Sequence, residues 1–411
     1  MPNTEIITAL DIGSGKVTCV IAAHDEETGK FRVLGGARAD SKGIKSGMVT
    51  SIEEAAHSIR VAVEAAEKRS GQVASEVLLG VRGPHLYSMD ARGRVNISRT
   101  DQEITAEDVA NVIDNSKAFS LGNAIEILHV VPQKYSLDRL PGVPDPIGMQ
   151  GGLLEAETHM VLGSTPAICN LIKAVNTAGF QLAAEPVYTL LALGELVVEE
   201  EEKSLGTLLL DIGGQTTSMG IYIEGALHFS KELPMGGDSI NKDLAHGLGT
   251  TGGWARELKE KYGAAYSSFV DKDKKLTIMK ADRRTKAEIS ARDLLKYIQP
   301  RVEEIFELAY EAVQKSAFPD LAGGAILAGG GALLKGMPDA ATELLQLPQA
   351  RLAHPVLELL DCPEEYLAQP YLGAVALACY THAGDWGADS QNSHRGGGQF
   401  RRLWQWVREM F

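Results

Sequence analysis

The chain has 411 residues, of which 44% are hydrophobic, and its net charge at pH 7 is −14. This length predicts two or more domains with sizeable cores, and the excess of negative charge argues against nucleic acid as a partner. The four cysteines lie far apart without a Cys-x-x-Cys pair, so neither a disulfide framework nor a zinc site is expected. No basic-then-apolar signal segment opens the chain. No apolar run reaches the roughly 18 residues of a membrane-spanning helix.

The first predicted element is a strand that ends in a glycine turn. An apolar run at residues 6–10 leads into the sequence DIGSGK at residues 11–16, and apolar residues then alternate from residue 17 to residue 21. Period-2 alternation on both sides of a short glycine turn predicts a β-hairpin. Glycines let backbone N–H groups approach phosphate oxygens, while hydroxyls and an ammonium add further bonds. The candidate phosphate-binding residues of this turn are Gly13, Ser14, Gly15 and Lys16.

Further along the chain, between residues 83 and 205, the sequence predicts an α+β insertion and several helices. A helix is predicted at residues 52–69, before this region. A second helix is predicted at residues 101–115, entered through a capping-type start at residues 105–108. The other predictions are strands at 127–137 and 153–162 with a loop at 141–152 between them, helices at 165–179 and 187–198, and a solvated turn at the acidic run 199–202.

The glycine hairpin then recurs. Residues 208–210 are apolar and lead into DIGGQTT at residues 211–217, and apolar residues alternate again up to residue 223. Two matched strand–loop–strand units predict two similar half-domains, each offering one loop to a shared ligand. Neither loop is a Walker loop, because no Gly-x4-Gly-Lys-[Ser/Thr] frame fits. The candidate phosphate-binding residues of the second turn are Gly213, Gly214, Gln215, Thr216 and Thr217.

Each hairpin places an aspartate near the end of its first strand. Asp11 and Asp211 hold equivalent positions in the two copies. A carboxylate at a strand end can hold a hydrated Mg²⁺ that bridges to phosphates. We therefore predict that both aspartates serve the metal, through water.

A helix is predicted at residues 239–248, and a long amphipathic helix at residues 290–318. A third glycine cluster follows. Residues 325–328 have the pattern of a strand, and Gly329, Gly330 and Gly331 come before a helix-like run that starts at residue 332. A strand, glycines and a helix bring backbone close to a ribose or phosphate at the helix N-terminus. A tight strand-to-helix turn without a ligand has the same pattern.

The tail combines a linker with an amphipathic segment. Residues 384–398 are rich in Gly, Ser, Asp and Asn and end in three glycines, which predicts a flexible linker. On a helical wheel, residues 399–411 separate an apolar face (Phe400, Leu403, Trp404, Trp406, Val407, Met410 and Phe411) from a basic one (Arg401, Arg402 and Arg408). Such a helix is typical of attachment to an anionic membrane surface. A helix docked on the chain's own core or on a partner is the alternative.

The two Asp-x-Gly loops and the late triple glycine resemble the actin, Hsp70 and sugar-kinase ATPase superfamily. Within it, the chain resembles the FtsA family of bacterial actin-like cell-division proteins, from about residue 5 to residue 382 and also in its tail. Supporting matches are residues 43–47, 234–238 and 369–371.

This resemblance implies an α/β, actin-like ATPase fold of two duplicated half-domains, each with a subdomain, followed by a C-terminal amphipathic helix. The implied parts are a first core subdomain (1–83 and 164–203, with a return at 365–383), an inserted α+β subdomain peculiar to the family (84–163), a second core subdomain (204–241 and 300–364), a peripheral subdomain (242–299), a linker (384–398) and a membrane helix (399–411).

The resemblance also implies ligands and partners. ATP and Mg²⁺ would be the cofactors, with Gly236, Gly237 and Lys259 joining the ATP site and Glu185 positioning a water molecule at the start of a helix. The protein would polymerise with itself on the inner face of the cytoplasmic membrane, at the division site. There it would bind the C-terminal tail of FtsZ through the peripheral subdomain and recruit later divisome proteins. Basic residues offered to that tail are Arg283, Arg284, Lys286 and Arg292.

Four positions depart from the family pattern. Gln215 stands where the family has glycine, Ser218 where it has aspartate, and Arg256 where it has glutamate. The fourth is Glu185, where the family often has glutamine. The first two departures predict at most a weak ATPase. Two alternatives in the superfamily are an actin-like pilus-assembly adaptor, which normally lacks the terminal helix, and a small-molecule kinase, whose catalytic aspartate motif is not found. A chaperone of the Hsp70 type would need a peptide-binding domain for which no residues remain.

Overall fold

The computed structural model describes residues 4–25, 28–122, 124–271, 274–355 and 360–385. The predicted amphipathic segment 399–411, and all of the predicted linker except its first two residues, lie outside this described part of the chain.

A sheet with a three-stranded antiparallel meander opens the fold. Its elements, with a two-stranded hairpin and a helix between them, are β1 (Thr4–Ile12), β2 (Lys16–Asp25), β3 (Lys30–Asp40), β4 (Ile44–Lys45), β5 (Met48–Val49), α1 (Ile52–Ser70) and β6 (Glu76–Val81). β1 pairs with β2 on one side and, in parallel, with β6 on the other, which sets Asp11 opposite Gly80. The predicted first helix is confirmed. It is capped by Ser51 and ends at Gly71, whose φ of 70° suits glycine.

An antiparallel sheet with one helix is inserted next. Its elements are β7 (Leu86–Asn96), α2 (Ala106–Ser116), β8 (Ile125–Leu137), β9 (Leu140–Val143) and β10 (Leu153–Ser164), and the strand order is β7–β10–β8–β9. Thr105 and Asp108 form the capping box that starts α2. The insertion has a core of its own, built around Val112, Tyr135 and Leu154. The loop predicted at 141–152 begins too early, because it includes most of β9, which pairs with β8 up to Val143.

The chain then returns to the first sheet through α3 (Thr165–Ala178), β11 (Gln181–Leu182), β12 (Val187–Tyr188), α4 (Thr189–Val197) and α5 (Glu200–Leu205). Two predictions are wrong here. The helix predicted from residue 187 starts at Thr189, because β12 first pairs with β6. The acidic run is exposed at residues 199–201, as predicted, but it is not a turn. It opens α5, and both carboxylate oxygens of Glu202 accept bonds from Arg351.

The second half of the chain repeats the plan. Its elements are β13 (Thr207–Ile212), β14 (Thr217–Ile223), β15 (Ala226–Leu233), α6 (Asp238–Leu248), α7 (Gly252–Tyr262), β16 (Lys275–Met279), β17 (Lys286–Ser290), α8 (Leu295–Lys315), β18 (Gly324–Ala328), α9 (Met337–Leu345) and β19 (Ala350–Leu352). β15–β14–β13–β18–β19 form its sheet, while β16 and β17 form a separate hairpin. The chain then returns to the first half with β20 (Leu360–Asp361), which pairs with β3, and α10 (Gln369–Asp385), which packs on α4 and β1.

The predicted duplication of the hairpins is confirmed strand by strand. Asp11 faces Thr18 across the first hairpin, and Asp211 faces Ser218 across the second. In each sheet a parallel strand then joins the other side of the aspartate's strand, β6 in the first half and β18 in the second. None of the helices in the described ranges combines the length and apolar character that crossing a membrane requires. Because the two hairpins have the same strand neighbours, they bring equivalent loops to the place where the half-domains meet.

Candidate functional site

The two predicted loops have the same turn geometry. Gly13 N–H donates to the Lys16 carbonyl over 3.0 Å, and Gly213 N–H donates to the Thr216 carbonyl over 2.9 Å. A Cβ on either glycine would lie 2.9 Å from that same carbonyl oxygen. A methylene at that distance forces a shift, so both turns need glycine for close packing against their own backbone.

The loops face each other across the cleft between the half-domains. A Cβ on Gly214 would lie 3.7 Å from the backbone nitrogen of Gly15, and a Cβ on Gly15 would meet no atom within 4 Å. Within the described residues, the N–H groups of Ser14, Gly15, Gly214 and Gln215 donate to no backbone carbonyl. Grouped donors on two glycine turns can bind phosphate oxygens. Each half-domain therefore presents such donors to the cleft.

A third wall of the site is formed where β15 leads into α6. Gly237 N–H donates to Gly213 O over 2.9 Å, and Asp238 N–H donates to Gly214 O over 2.7 Å. Gly236 approaches so closely that a Cβ there would lie 2.5 Å from Gly213 O. Lys259 Nζ, from α7, donates to Gly237 O over 2.9 Å. The structure thus brings these predicted residues to the second loop.

The lysine is partly buried, and the loss of hydration lowers the pKa of its ammonium. Its partner Gly237 also lies near the glycine cluster, since a Cβ on Gly237 would stand 3.9 Å from the Cα of Gly331. The second loop, Lys259 and the glycine cluster therefore line one continuous side of the cleft.

The glycine cluster also lines this cleft, but the element that follows it differs from the predicted one. Gly329 has φ of 83°, and a Cβ there would overlap Oδ1 of Asp211, so both backbone conformation and space call for glycine. Gly330–Leu333 forms a short 3₁₀ turn, and α9 starts only at Met337, after Gly336 with φ of 79°. The prediction of a helix directly after the glycines is wrong, because the left-handed Gly336 separates the two elements.

An arginine holds the two aspartates together. Nη2 of Arg82 lies 2.8 and 2.7 Å from the two oxygens of Asp11, and Nη1 lies 2.6 Å from Oδ2 of Asp211. All three side chains are at least 88% buried. Burial raises the pKa of Asp11, and Arg82 opposes that rise. Burial disfavours the guanidinium, but the charges of Asp11 and Asp211 outweigh it and raise the pKa of Arg82.

This donor set does not fit Mg²⁺ as predicted. Both oxygens of Asp11 and one of Asp211 already accept bonds from a guanidinium, and a dication beside that guanidinium would be repelled. Across the described ranges, no group of three or more histidines, cysteines, aspartates or glutamates has the arrangement of a metal site. The aspartates do meet, but around Arg82.

A third buried carboxylate supports the same region. Oε1 of Glu232 accepts a bond from the Tyr188 hydroxyl over 2.8 Å, and Oε2 accepts one from Gly83 N–H over 3.1 Å. Burial raises the pKa of Glu232. Tyr188 and Gly83 belong to the first half of the fold and Glu232 to β15, so these bonds also cross the cleft.

The side chains of several predicted phosphate ligands form hydrogen bonds with other groups of the protein. Ser14 Oγ accepts from Gly47 N–H and Gln215 Oε1 accepts from Ser46 N–H, each over 2.9 Å. Thr217 Oγ1 donates to Met235 O over 2.8 Å. The backbone amides of the two loops are therefore the better candidates for phosphate contact than these side chains.

Lys16, which was predicted to contact phosphate, is turned towards an aspartate instead. Its Nζ donates to Asp40 over 2.7 Å, and the bond lowers the pKa of that carboxyl. The Lys16 side chain is 38% exposed, so its role towards phosphate stays a prediction.

Glu185 is exposed and stands before β12, four residues from the start of α4. Its charge contributes, after burial, to a raised pKa of Glu126 in β8. Its water-positioning role stays a prediction, while its place at the opening of a helix is not found because β12 intervenes.

Sequence reasoning missed Arg82, Glu232 and Asp40. An arginine followed by glycine at the end of a buried strand is a signal for Arg82, since β6 ends beside Asp11. Ser46 and Gly47 were noted only as part of a family match. No local signal marks Glu232, whose partners are 44 and 149 residues away along the chain.

Comparison with known proteins resolves the family. The family model "Cell division protein FtsA" matches residues 208–376, and the model "SHS2 domain inserted in FTSA" matches residues 83–162. The cell division protein FtsA of Neisseria meningitidis serogroup B is 32% identical over 98% of this chain and 98% of its own length. This chain belongs to the FtsA family.

Solved structures confirm the actin-like fold of this FtsA-family protein. The PilM–PilN type IV pilus biogenesis complex has a TM-score of 0.63 at 16% identity, covering 90% of this chain and 97% of that one. MreB5 of Spiroplasma citri, solved with ADP, has a TM-score of 0.54 at 13% identity, covering 92% and 95%. At these identities the likeness concerns the fold alone.

Proposed function

We propose that this protein binds ATP in the cleft between its two half-domains and uses it as a switch for self-assembly in cell division. The observation that carries the proposal is the pair of facing glycine loops, with Gly214 beside Gly15 and free N–H groups on both. The adjoining walls, Gly237 with Lys259 and the turn at Gly329, extend the site beyond the phosphates. Any ATP hydrolysis is weak, since neither a metal-ready aspartate pair nor a helix-borne Glu185 supports fast turnover.

Nucleotide binding can be tested by titrating a fluorescent ATP analogue into the protein and competing it with ATP. The variant Gly15→Ala places a methyl on the open side of the first loop, where it meets no protein atom within 4 Å. The control is Gly252→Ala, at the start of α7, whose methyl also meets nothing within 4 Å. Gly71→Ala would not serve as a control, because φ of Gly71 is positive. The proposal expects weaker binding in Gly15→Ala alone, and equal binding in all three proteins contradicts it.

We further propose that the protein attaches to the inner face of the cytoplasmic membrane at the division site through residues 399–411. The aromatic and arginine faces of that sequence support this. One short helix binds lipid reversibly, so copies joined in a polymer would anchor by avidity. Co-sedimentation with anionic liposomes, with and without ATP, compares the full chain with one that ends at Gly384. Pelleting of both forms, or of neither, contradicts the membrane role.

The same protein is proposed to tether FtsZ and to recruit later divisome proteins. A cavity of about 590 Å³ at the start of α8 is a candidate dock for the FtsZ tail. It is lined by Ser267, Arg292, Asp293, Leu295, Lys296, Gln299, Pro300 and Glu303. Arg292 and Lys296 are exposed there. Lys296 pairs with Asp293 over 2.9 Å, so Arg292 is the cation proposed to meet an acidic peptide. The hairpin β16–β17, with Arg283, Arg284 and Lys286, adds further exposed cations.

Fluorescence anisotropy with a labelled FtsZ C-terminal peptide tests this docking. Arg292→Glu should weaken binding at least about tenfold if the cation contacts the peptide directly, while Arg92→Glu, an exposed position on the inserted sheet, serves as the control. Equal affinity of the two variants would place the dock elsewhere.

A further inference from the structure

The guanidinium of Arg82 lies where two half-domains meet. It projects from the end of β6 in the first half, pairs with Asp11 of the same half, and reaches Asp211 of the other half. The three charges are nine-tenths buried or close to it. Burial of an unpaired charge is costly. Arg82 can be buried here because both aspartates pair with it.

The chemistry of this arrangement is that of a bridging cation. An arginine presents a planar fork whose donors can bind carboxylates on two sides. Here one terminal nitrogen serves Asp11 and the other serves Asp211. A divalent ion between the same carboxylates would do the same work of cancelling their repulsion and joining the two strands. The two cations compete for one place.

The position of Arg82 is set by close packing on several sides. A Cβ on Gly373, in α10, would lie 2.7 Å from Oδ2 of Asp11 and 2.9 Å from Nη2 of Arg82. A Cβ on Gly47 would overlap the carbonyl oxygen of Arg82. The neighbouring Gly83 N–H is tied to Glu232 across the cleft. The backbone and the fork are therefore both confined, which favours a standing bridge over a side chain that swings away.

We propose that Arg82 takes the place of the divalent cation between Asp11 and Asp211, so that this protein closes its cleft and binds nucleotide without Mg²⁺. The part that concerns nucleotide rests on the proposed ATP site. The part that concerns closure stands on the Arg82 bridge alone, and the two are tested separately.

The first experiment measures the affinity of a fluorescent ATP analogue in Mg²⁺ and in EDTA. For the natural chain we expect the two dissociation constants to agree within about threefold, because no metal is needed between the aspartates. For Arg82→Ser, which frees both carboxylates for metal, affinity in EDTA should fall at least about tenfold below that in Mg²⁺. Arg92→Ala, which removes an exposed ion pair with Glu157, should behave as the natural chain does.

Loss of at least tenfold in affinity when the natural chain is moved into EDTA overturns the proposal, and this arm needs no variant. Arg82→Lys covers the case in which Arg82→Ser does not fold, because lysine keeps the charge but has no fork with which to join two carboxylates. If Arg82→Lys is as independent of Mg²⁺ as the natural chain, the bridging geometry is not what matters and the proposal fails.

The second experiment uses no nucleotide. Small-angle scattering in EDTA compares the radius of gyration of the natural chain with those of Arg82→Lys and Arg92→Ala. A larger radius in Arg82→Lys alone supports the bridge, and identical radii overturn it. If no protein binds the analogue in either buffer, the ATP proposal fails, while the scattering result still decides whether Arg82 holds the halves together.

Discussion

The two glycine hairpins share a backbone and differ in where their side chains reach. The first loop makes its side-chain bonds within its own half: Ser14 accepts from Gly47, and Lys16 pairs with Asp40. The second loop crosses the cleft, since Gln215 accepts from Ser46 and Asp211 pairs with Arg82. The two loops thus share one turn geometry, while their side chains make the first a local anchor and the second an interdomain contact.

The contrast also changes how Gln215 is understood. As a departure from glycine, it predicts hindered approach of the backbone to phosphate. In the structure its amide oxygen binds the backbone of the β4–β5 turn, where Ser46 has φ of 47° and Gly47 has φ of 74°. The substitution therefore adds a contact between the halves beside the one made by Arg82.

The largest expected effect comes from removing the cation that joins both hairpins. Arg82→Ser leaves two buried carboxylates without their partner, and loss of one partner of a buried pair costs about 3–5 kcal/mol. Arg92→Ala, an exposed pair on the inserted sheet, should cost about 0–1 kcal/mol. Denaturant unfolding followed by circular dichroism measures both. A cost for Arg82→Ser no larger than that for Arg92→Ala would show that the hairpins do not depend on this bridge.

Each half also carries a buried histidine that should make stability depend on pH. Burial lowers the pKa of His85 and of His228 to about 4, against about 6.5 in an unfolded chain. The unfolded state therefore binds more protons between these values, so stability is present above pH 6.5 and falls as the pH drops towards 4. Each histidine should contribute roughly 3 kcal/mol to this loss.

Unfolding curves between pH 4 and pH 7 test this for His85→Gln and His228→Gln. Each variant should make the free energy of unfolding depend less on pH, because one buried histidine has been removed. His57 is exposed, so His57→Gln should leave the curve unchanged. A curve as steep in the buried-site variants as in the natural chain would contradict the assignment.

A third test asks whether the two turns are equivalent. Gly13→Ala and Gly213→Ala each place a Cβ 2.9 Å from a carbonyl oxygen of their own loop, so both should lose about 1–3 kcal/mol through overpacking. Gly15→Ala, which meets no atom within 4 Å, should leave stability nearly unchanged. The three unfolding midpoints, measured side by side, decide this. Unequal losses for Gly13→Ala and Gly213→Ala would break the equivalence of the turns.

The smallest expected effect concerns single hydrogen bonds. Gln215→Ala removes the acceptor of Ser46 N–H, and Ser14→Ala removes that of Gly47 N–H. Each should cost about 0.5–1.5 kcal/mol. Hydrogen exchange can separate them, because each variant should lower the protection of one amide only. Loss of protection at both amides in either variant would show that the β4–β5 turn responds as a unit.

Local pattern predicted much of the framework. The alternation around the two turns predicted both hairpins, and periodicity predicted α1. A capping-type sequence marked where α2 is entered. These signals act within a few residues of chain. The errors have a common cause. α4 was started too early and the acidic run was called a turn, because β6 and Arg351, the partners that decide those segments, are distant in sequence.

The sequence by itself determined that this protein has two matched glycine loops, an aspartate beside each, and the family to which they belong, because turns and alternation are written in neighbouring residues. Only the tertiary structure decided what lies between the aspartates. Arg82 is 71 residues from Asp11 and 129 from Asp211, so no local pattern links them. Packing of the two halves creates the buried space in which one guanidinium neutralises both carboxylates.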